Sequence, residues 1–555
     1  MAGSEEWKDE WMWIVPFGGI VAFIAAFGIG ANDVANAYAT SVGAKSLTIK
    51  QACFLAVIFE FLGAFLAGSQ VADTIRSGIA DYKCFTDTPE ILMYGNMCVI
   101  ISVAMWLILA TKYEMPVSTT HSCVGGMIGM TIVAKGSDCV VWSAEGNEDN
   151  LYLPKGVVAI ILSWILSPVL SGMFSSGMFL VLRAVVLRAS NSFRMAIKLY
   201  PVLIFVAVML NVFFIISKGL AKKICPSKSS DPGFLCKEKD GVGTGKVDAM
   251  VALGLSAGVA AGVALACYPL YSYISRRVEE RTVNDASKAT ADAEKKSSTI
   301  DVAEVSAVVE PAAEQTRSQR VISVLMTSLN TDVHLSKDTQ TMAVHDNAEK
   351  FDARTEMVFE YIQIFTAIVD SFAHGANDVA NAMGPFMAIH AIHKTGKVAK
   401  KASESEEDGL RILALGGIGI GVGLCLYSYQ IIRAIGVKLA AITPPRGVCI
   451  ELGSAVVIIF GSFLGLPLST THCQVGATTG VALLEGKGGV NTWVLFKTVI
   501  GWIITLIVVG FSTGSILAWG LAAPAFEGKV NVYLDEGCPD WATSHDYIIN
   551  ATALA

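Results

Sequence analysis

The chain has 555 residues, 53% of them hydrophobic and only 16% charged, with a net charge of −7 and a mean hydropathy of +0.54. A soluble domain carries about 25% charged residues, so this composition argues against a soluble multidomain enzyme. The acidic balance without a basic stripe argues against a nucleic-acid binder, and 12 Cys over this length are too sparse for a disulfide scaffold.

Apolar runs long enough for spans of ~20 residues lie near 11–30, 50–68, 92–111, 117–134, 156–181, 200–217 and 247–271. After a polar gap they resume near 357–389, 410–432, 447–466, 468–484 and 491–522. The expectation is an all-α polytopic membrane protein with about twelve transmembrane helices. Residues 1–10 are net acidic and lack a basic signal-peptide region, so the first run is read as a retained anchor. The loop 182–199 carries Arg183, Arg188, Arg194 and Lys198 and no acid, which places it in the cytoplasm. Counting crossings from it puts both termini outside: an extracellular segment 1–10 and an extracellular tail 523–555, which holds the sequon Asn550-Ala551-Thr552. The loop 218–246 conflicts, with seven Lys on the outside, whereas Cys225 and Cys236 favour the outside because a disulfide could form there. Cys84, Cys139 and Cys538 also fall outside, with no readable connectivity. Residues 275–356 hold 11 basic and 15 acidic residues and one aromatic, Phe351. They read as a largely disordered cytoplasmic linker between the halves 11–274 and 357–522.

The octapeptide Gly-Ala-Asn-Asp-Val-Ala-Asn-Ala occurs at 30–37 and again at 375–382, and a Ser-Thr-Thr-His motif after proline occurs at 118–121 and at 469–472. Two motifs repeated in the same order at matched spacing indicate an internal duplication. An odd number of crossings separates the copies, so they are expected as inverted-topology repeats, a recurrent transporter plan. Each Asn-Asp motif interrupts a long apolar stretch, which suggests helices broken near Gly30 and Gly375. Pro116 and Pro467 end the preceding helices, and Ser118 and Ser469 are suited to cap the next. The exposed N–H groups of such helix starts, with the hydroxyls of Thr119, Thr120, Thr470 and Thr471, attract an anion.

Asp33 and Asp378 lie in apolar sequence, where an acid costs ~2.5–3.5 kcal/mol on insertion scales and calls for a partner or a function. With Asn32, Asn36, Asn377 and Asn381 they offer oxygen ligands for a hard cation, Na⁺ being the natural candidate. The bland alternative is an Asn/Asp network that stitches helices together. Cations masking the two aspartates would let an anion bind above them, which couples the two ions. A protonated phosphate could donate to a carboxylate where sulfate could not.

These motifs closely resemble those of the inorganic phosphate transporter family, the sodium–phosphate symporters of the PiT type, whose signature Gly-x-Asn-Asp-x-Ala-Asn-Ala is met in both halves. The resemblance covers roughly 11–270 and 357–522. It implies phosphate import across the plasma membrane by Na⁺ symport, with alternating access around a site between the repeats and no organic cofactor. The implied phosphate site is Asp33, Ser118, Thr119, Thr120, Asp378, Ser469, Thr470 and Thr471. The implied Na⁺ ligands are Asn32, Asp33, Asn36, Asn377, Asp378 and Asn381. Glu60 and Glu451 match the family's functionally sensitive acids. Some relatives run on H⁺ and a few carry sulfate, so both stay open, as does a homodimer. One departure is Glu114, just before Pro116, where the second copy has Gly465.

His121 and His472 are candidates for coupling or gating, although orienting the loop is the plainer role for each. His374 has no counterpart in the first copy, where Ile29 stands, and Asp370 one turn before it is its expected partner. The Gly416 to Gly423 run reads as close helix packing rather than nucleotide binding. A passive anion channel would not need intramembrane carboxylates. An intramembrane hydrolase lacks a third orienting residue beside Ser-Thr-Thr-His.

Overall fold

The computed structural model describes residues 6–68, 79–143, 156–219, 221–225, 234–239, 242–298, 329, 331–334, 338–398, 406–463 and 468–522. It is almost entirely helical. The first half holds α1 (Ile14–Asn32), α2 (Val34–Gly43), α3 (Ile49–Ala67), α4 (Pro89–Lys112), α5 (Thr119–Lys135), α6 (Val157–Leu182), α7 (Ser192–Phe214), the antiparallel pair β1 (Cys236–Lys239) and β2 (Val242–Val247), α8 (Ala249–Ala266) and α9 (Tyr268–Ser298). Then come α10 (Thr339–Asn347), α11 (Ala353–Thr395), α12 (Glu406–Tyr427), α13 (Tyr429–Arg433), α14 (Pro444–Phe463), α15 (Thr470–Leu483) and α16 (Thr492–Ala522). Among the described residues nine helical stretches are long and apolar enough to cross a membrane. The runs expected at 117–134 and 468–484 form the short helices α5 and α15, of 17 and 14 residues. The run at 357–389 lies inside α11, whose 43 residues span roughly 65 Å at ~1.5 Å per residue.

Two ends of the molecule are distinguishable. At one, Cys84–Cys139 ties the start of α4 to the end of α5, and residues 80 and 140 form a β-bridge. At the other, Arg183 follows α6 and Arg446 opens α14, and residues 440 and 490 form the matching bridge. Helix α16 starts at this arginine end, faces Gly129 of α5 with Gly510, and reaches Tyr94 of α4 with Gly520 at the disulfide end. A Cβ at Gly129 would lie 2.1 Å from the Gly510 carbonyl oxygen, so only glycine permits that approach. In mirrored fashion α6 runs from the disulfide end with Pro168 against Gly476 and Gly172 against Gly480 of α15. Ser171 Oγ adds a hydrogen bond of 2.7 Å to the Cys473 carbonyl. Helix α4 therefore runs from the disulfide end toward the arginine end, α14 runs away from the arginine end, and α5 and α15 begin side by side in the middle.

Helix α11 is the central post, packed against α1, α3, α4, α7 and α14. It starts on the cap Asp352, whose carboxylate accepts from Thr355 N at 3.0 Å. Its length corrects the expected break near Gly375: the helix runs through the whole second motif, Pro385 included. The break expected near Gly30 is a single residue, Asp33, whose φ of −89° and ψ of −42° remain helical. The physical reason is that amide and hydroxyl side chains satisfy the acids, so the backbone does not have to unwind to do it. The glycines of α12 serve packing as expected, since a Cβ on Gly423 would sit 1.9 Å from the Phe27 carbonyl oxygen.

Of the expected linker 275–356, residues up to Ser298 continue α9 and residues 339–347 form α10, so these parts are helical. Residues 299–328 lie outside the described residues, as do the tail 523–555 with its sequon and Cys538, and Pro467. Cys225 pairs with Cys236.

Candidate functional site

Both Ser-Thr-Thr-His motifs start helices in the way their spacing suggests. Ser118 caps α5, its Oγ accepting from His121 N at 3.3 Å, and Ser469 caps α15, accepting from His472 N at 3.3 Å. The cap uses the serine hydroxyl on its own helix and turns the following threonines toward the acids.

Asp33 Oδ2 accepts from the Thr119 hydroxyl at 2.6 Å and the Thr119 N–H at 3.3 Å. Asp33 Oδ1 accepts from Asn36 Nδ2 at 2.8 Å, from Thr471 Oγ1, and from Thr470 Oγ1 at 3.4 Å. Asp378 mirrors this: Oδ2 accepts from Thr470 Oγ1 at 2.7 Å, and Oδ1 from Asn381 Nδ2 at 3.0 Å and Asn377 Nδ2 at 3.1 Å. The two amides also cross between halves. Asn36 Nδ2 donates to Thr471 Oγ1 at 3.1 Å, and Asn381 Nδ2 to Thr119 Oγ1 at 2.8 Å and Thr120 Oγ1 at 3.4 Å. Both aspartates are buried, as are all four threonines. The structure thus brings Asp33, Asn36, Thr119, Thr120, Asp378, Asn381, Thr470 and Thr471 into one cluster.

Asn32 belongs elsewhere. Its Nδ2 donates to Thr111 Oγ1 at 2.9 Å and the Met115 carbonyl at 3.0 Å, and its Oδ1 accepts from Val117 N at 2.9 Å. With both polar atoms engaged, it holds the tip of the α4–α5 hairpin, whereas the Asn36 and Asn381 oxygens make no hydrogen bond among the described residues. The hydroxyls of Ser118 and Ser469 are engaged at their own helix starts, with His121 and His472, rather than with the acids.

His374 is the residue that sequence reasoning undervalued. Its Nε2 lies 2.9 Å from Asp378 and 4.0 Å from Asp33, and its Nδ1 lies 3.0 Å from Glu60. These contacts go to Glu60 and the aspartates rather than to Asp370. One ligand atom each from Asp33, His374 and Asp378 lie within 4.8 Å of one another, close enough to surround a single cation. The usable signal was the four-residue step from His374 to Asp378, which puts both on one helix face. Glu60 reaches the cluster through His374 and also accepts from Ser371 Oγ at 2.9 Å.

Glu451 sits apart, accepting from Thr40 Oγ1 at 2.6 Å, Ser41 Oγ at 2.9 Å and Thr366 Oγ1. The rings of His121 and His472 meet at a tilt with centroids 4.4 Å apart, with Trp164 tilted against the first at 3.7 Å and Trp502 stacked on the second at 3.6 Å. They brace the two helix starts together.

Five buried acids, Asp33, Glu60, Asp370, Asp378 and Glu451, thus lie in the interior, and no Lys or Arg pairs with them among the described residues. Charge of one sign at this depth requires mobile cations or protons.

Comparison with known proteins agrees with this chemistry. Residues 29–513 match the phosphate transporter family. The chain is 31% identical to a phosphate-repressible phosphate permease of Neurospora crassa, covering 92% of this chain and 98% of the relative. It is 26% identical to the sodium-dependent phosphate transporter 1 of Mus musculus, over 92% and 96% of the two chains. A solved structure titled the sodium-dependent phosphate transporter superposes with a TM-score of 0.64 at 30% identity, covering 92% of this chain and 98% of that one. The chain, a helical integral membrane protein, belongs to the phosphate transporter family.

Proposed function

We propose that the chain imports inorganic phosphate by symport with Na⁺, the ions meeting between two inverted repeats. The observation that carries the reading is a pair of idle oxygens. Asn36 Oδ1 and Asn381 Oδ1, one from each half, are buried without a hydrogen-bond partner among the described residues while their Nδ2 atoms hold the aspartates. An idle amide oxygen beside a carboxylate is half of a hard-cation site. Na⁺ at Asp33 and Asn36, and at Asp378 and Asn381, would neutralise the acids. Thr119, Thr470 and Thr471, whose hydroxyls are spent on those acids, would then be free to donate to a phosphate. The N-termini of α5 and α15 add N–H groups and positive dipole ends. Cation and anion affinities are therefore linked by an exchange of hydroxyl partners.

The opposite directions of α4 and α14 support alternating access, in which moving α4–α5 would open the site to the arginine end and moving α14–α15 to the disulfide end. The Cys84–Cys139 disulfide favours an oxidising compartment at its end. This supports a reading with the start of the chain outside, Arg183, Arg188 and α10 in the cytoplasm, and the plasma membrane as host. The chain then acts as a carrier rather than an enzyme.

The test is radiolabelled phosphate uptake into proteoliposomes under an imposed gradient. A Na⁺ gradient should drive uphill accumulation. Accumulation driven by H⁺ alone would establish the second reading, proton symport, which the placement of His374 among Glu60, Asp33 and Asp378 favours. Flux that only equilibrates would overturn both.

A further inference from the structure

At the arginine-end tip of the α4–α5 hairpin, two cations hold one carboxylate and a third holds the carbonyl beside it. Arg433 Nη2 donates to Glu114 Oε1 at 2.6 Å, and Lys438 Nζ donates to Glu114 Oε2. Lys497 Nζ donates to the carbonyl of the adjacent Tyr113. The side chains of Arg433, Lys438 and Glu114 are 25%, 23% and 24% exposed, so water and small ions reach them while screening stays incomplete. Arg433 Nε is buried and makes no hydrogen bond among the described residues, a donor held in reserve.

Glu114 has a φ of +54°, a left-handed conformation that residues other than glycine seldom adopt. Burial pushes its carboxyl up, but Lys438 and Arg433 outweigh burial and hold it below the ordinary carboxylate range, so it is charged at neutral pH. Three residues further on, Val117 touches the central cluster. Its N–H goes to Asn32 and its carbonyl accepts from Thr471 at 3.3 Å. Three residues reach at most ~10 Å, so the cationic group stands at the doorstep of the aspartates.

We propose that Arg433, Lys438 and Lys497 form a second oxyanion site, a release station for phosphate on its way to the arginine end, which Glu114 fills as a stand-in while the hairpin is shut. The proposal rests on the phosphate-transport reading of the central cluster. A carboxylate and a phosphate both offer paired acceptor oxygens to a guanidinium and ammonium groups, so one replaces the other on the same donors. The central cluster binds its anion over masked carboxylates and needs Na⁺. The station holds three cations and one displaceable acid and needs none. It has no carboxylate left to accept a proton from the ligand, so it takes sulfate as readily as phosphate. When phosphate displaces Glu114, the hairpin loses its tie to the segment 433–438 and its left-handed residue is free to relax, which joins release to opening.

The test is phosphate binding to the purified full-length protein in detergent, with choline replacing Na⁺ and radiolabelled phosphate as the probe. The wild type should bind weakly, because Glu114 competes. Glu114→Gln should bind about one phosphate per chain at least ~10-fold more tightly, displaced equally by sulfate. Adding Lys438→Gln or Arg433→Gln to that variant should remove the gain. A plain structural latch responds differently: Glu114→Gln and Lys438→Gln would behave alike and neither would create Na⁺-independent binding, which overturns the proposal. Glu114→Ala serves as the second variant, and Na⁺-dependent phosphate binding on the same samples reports folding and the central site. If the Na⁺-dependent signal is missing from the wild type while the Na⁺-independent gain appears in Glu114→Gln, the central reading fails and the station stands.

Discussion

Asn32 and Asn36 are four positions apart in one motif and have different partners. Asn36 holds Asp33 and keeps its oxygen idle, while Asn32 spends every polar atom on the loop before α5. Asn36→Ala and Asn381→Ala should therefore raise the Na⁺ half-saturation of phosphate uptake by ~10-fold or more, the loss of one neutral oxygen contact to a cation. Asn32→Ala should leave that half-saturation in place and lower the maximal rate, with a reduced thermal midpoint. Sodium titrations of uptake in proteoliposomes separate the two. Asp33→Asn and Asp378→Asn should each abolish Na⁺-driven uptake in folded protein, and uptake at the wild-type rate in either would remove that acid from the coupling. The residue types were legible in the sequence because acids and amides in apolar sequence demand partners. Which amide keeps an idle oxygen was not, because Asn32 finds its partners about 80 residues away at Thr111 and Met115. His374 was discounted for breaking the symmetry of the two copies, yet the contact that centres it comes from Glu60 on α3, which the motif does not contain.

The helix starts were legible because capping is local: a serine one residue before the first turn and a preceding proline suffice. Ser469→Ala should cost about 1 kcal/mol, seen as a lowered thermal midpoint in detergent. The supposed helix breaks were misread for a related reason. A polar motif in an apolar run looks like an interruption, but Asp378, Asn381 and His374 lie along one side of an intact α11 and find partners on α3, α5 and α15. The segment before α11 is held by a contact that no local pattern announces. Arg446 is 2% exposed, pairs with Glu485 at 2.6 Å, and lies over the rings of Phe179 and Phe351 at 5.5 and 5.4 Å. Glu485→Ala leaves that guanidinium without its carboxylate, and a loss of ~3–5 kcal/mol is expected for breaking a buried pair, measured by thermal or denaturant unfolding.

Across the whole molecule, the duplication was visible as two motif pairs, and the exchange between the copies was not. Helix α5 of the first half lies along α16 of the second, and α15 of the second lies along α6 of the first. The signals for these contacts are glycines such as Gly129 and Gly510, which a hydropathy reading treats as neutral. Two fragments, 1–300 and 330–555, should accordingly copurify and recover phosphate uptake when coexpressed, while neither should be stable alone. Recovery of a well-folded single fragment, by monodisperse gel filtration, would contradict the exchange.

That exchange also sets a timetable for biosynthesis. Helix α5 leaves the ribosome more than 350 residues before α16, whose Leu506 and Gly510 are to cover Gly125 and Gly129. Until then the newborn protein must wait beside the insertion machinery with an incomplete partner set. A premature stop anywhere before Thr492 would leave Gly125 and Gly129 of α5 uncovered, giving a product for membrane quality control to degrade rather than a transporter with reduced output.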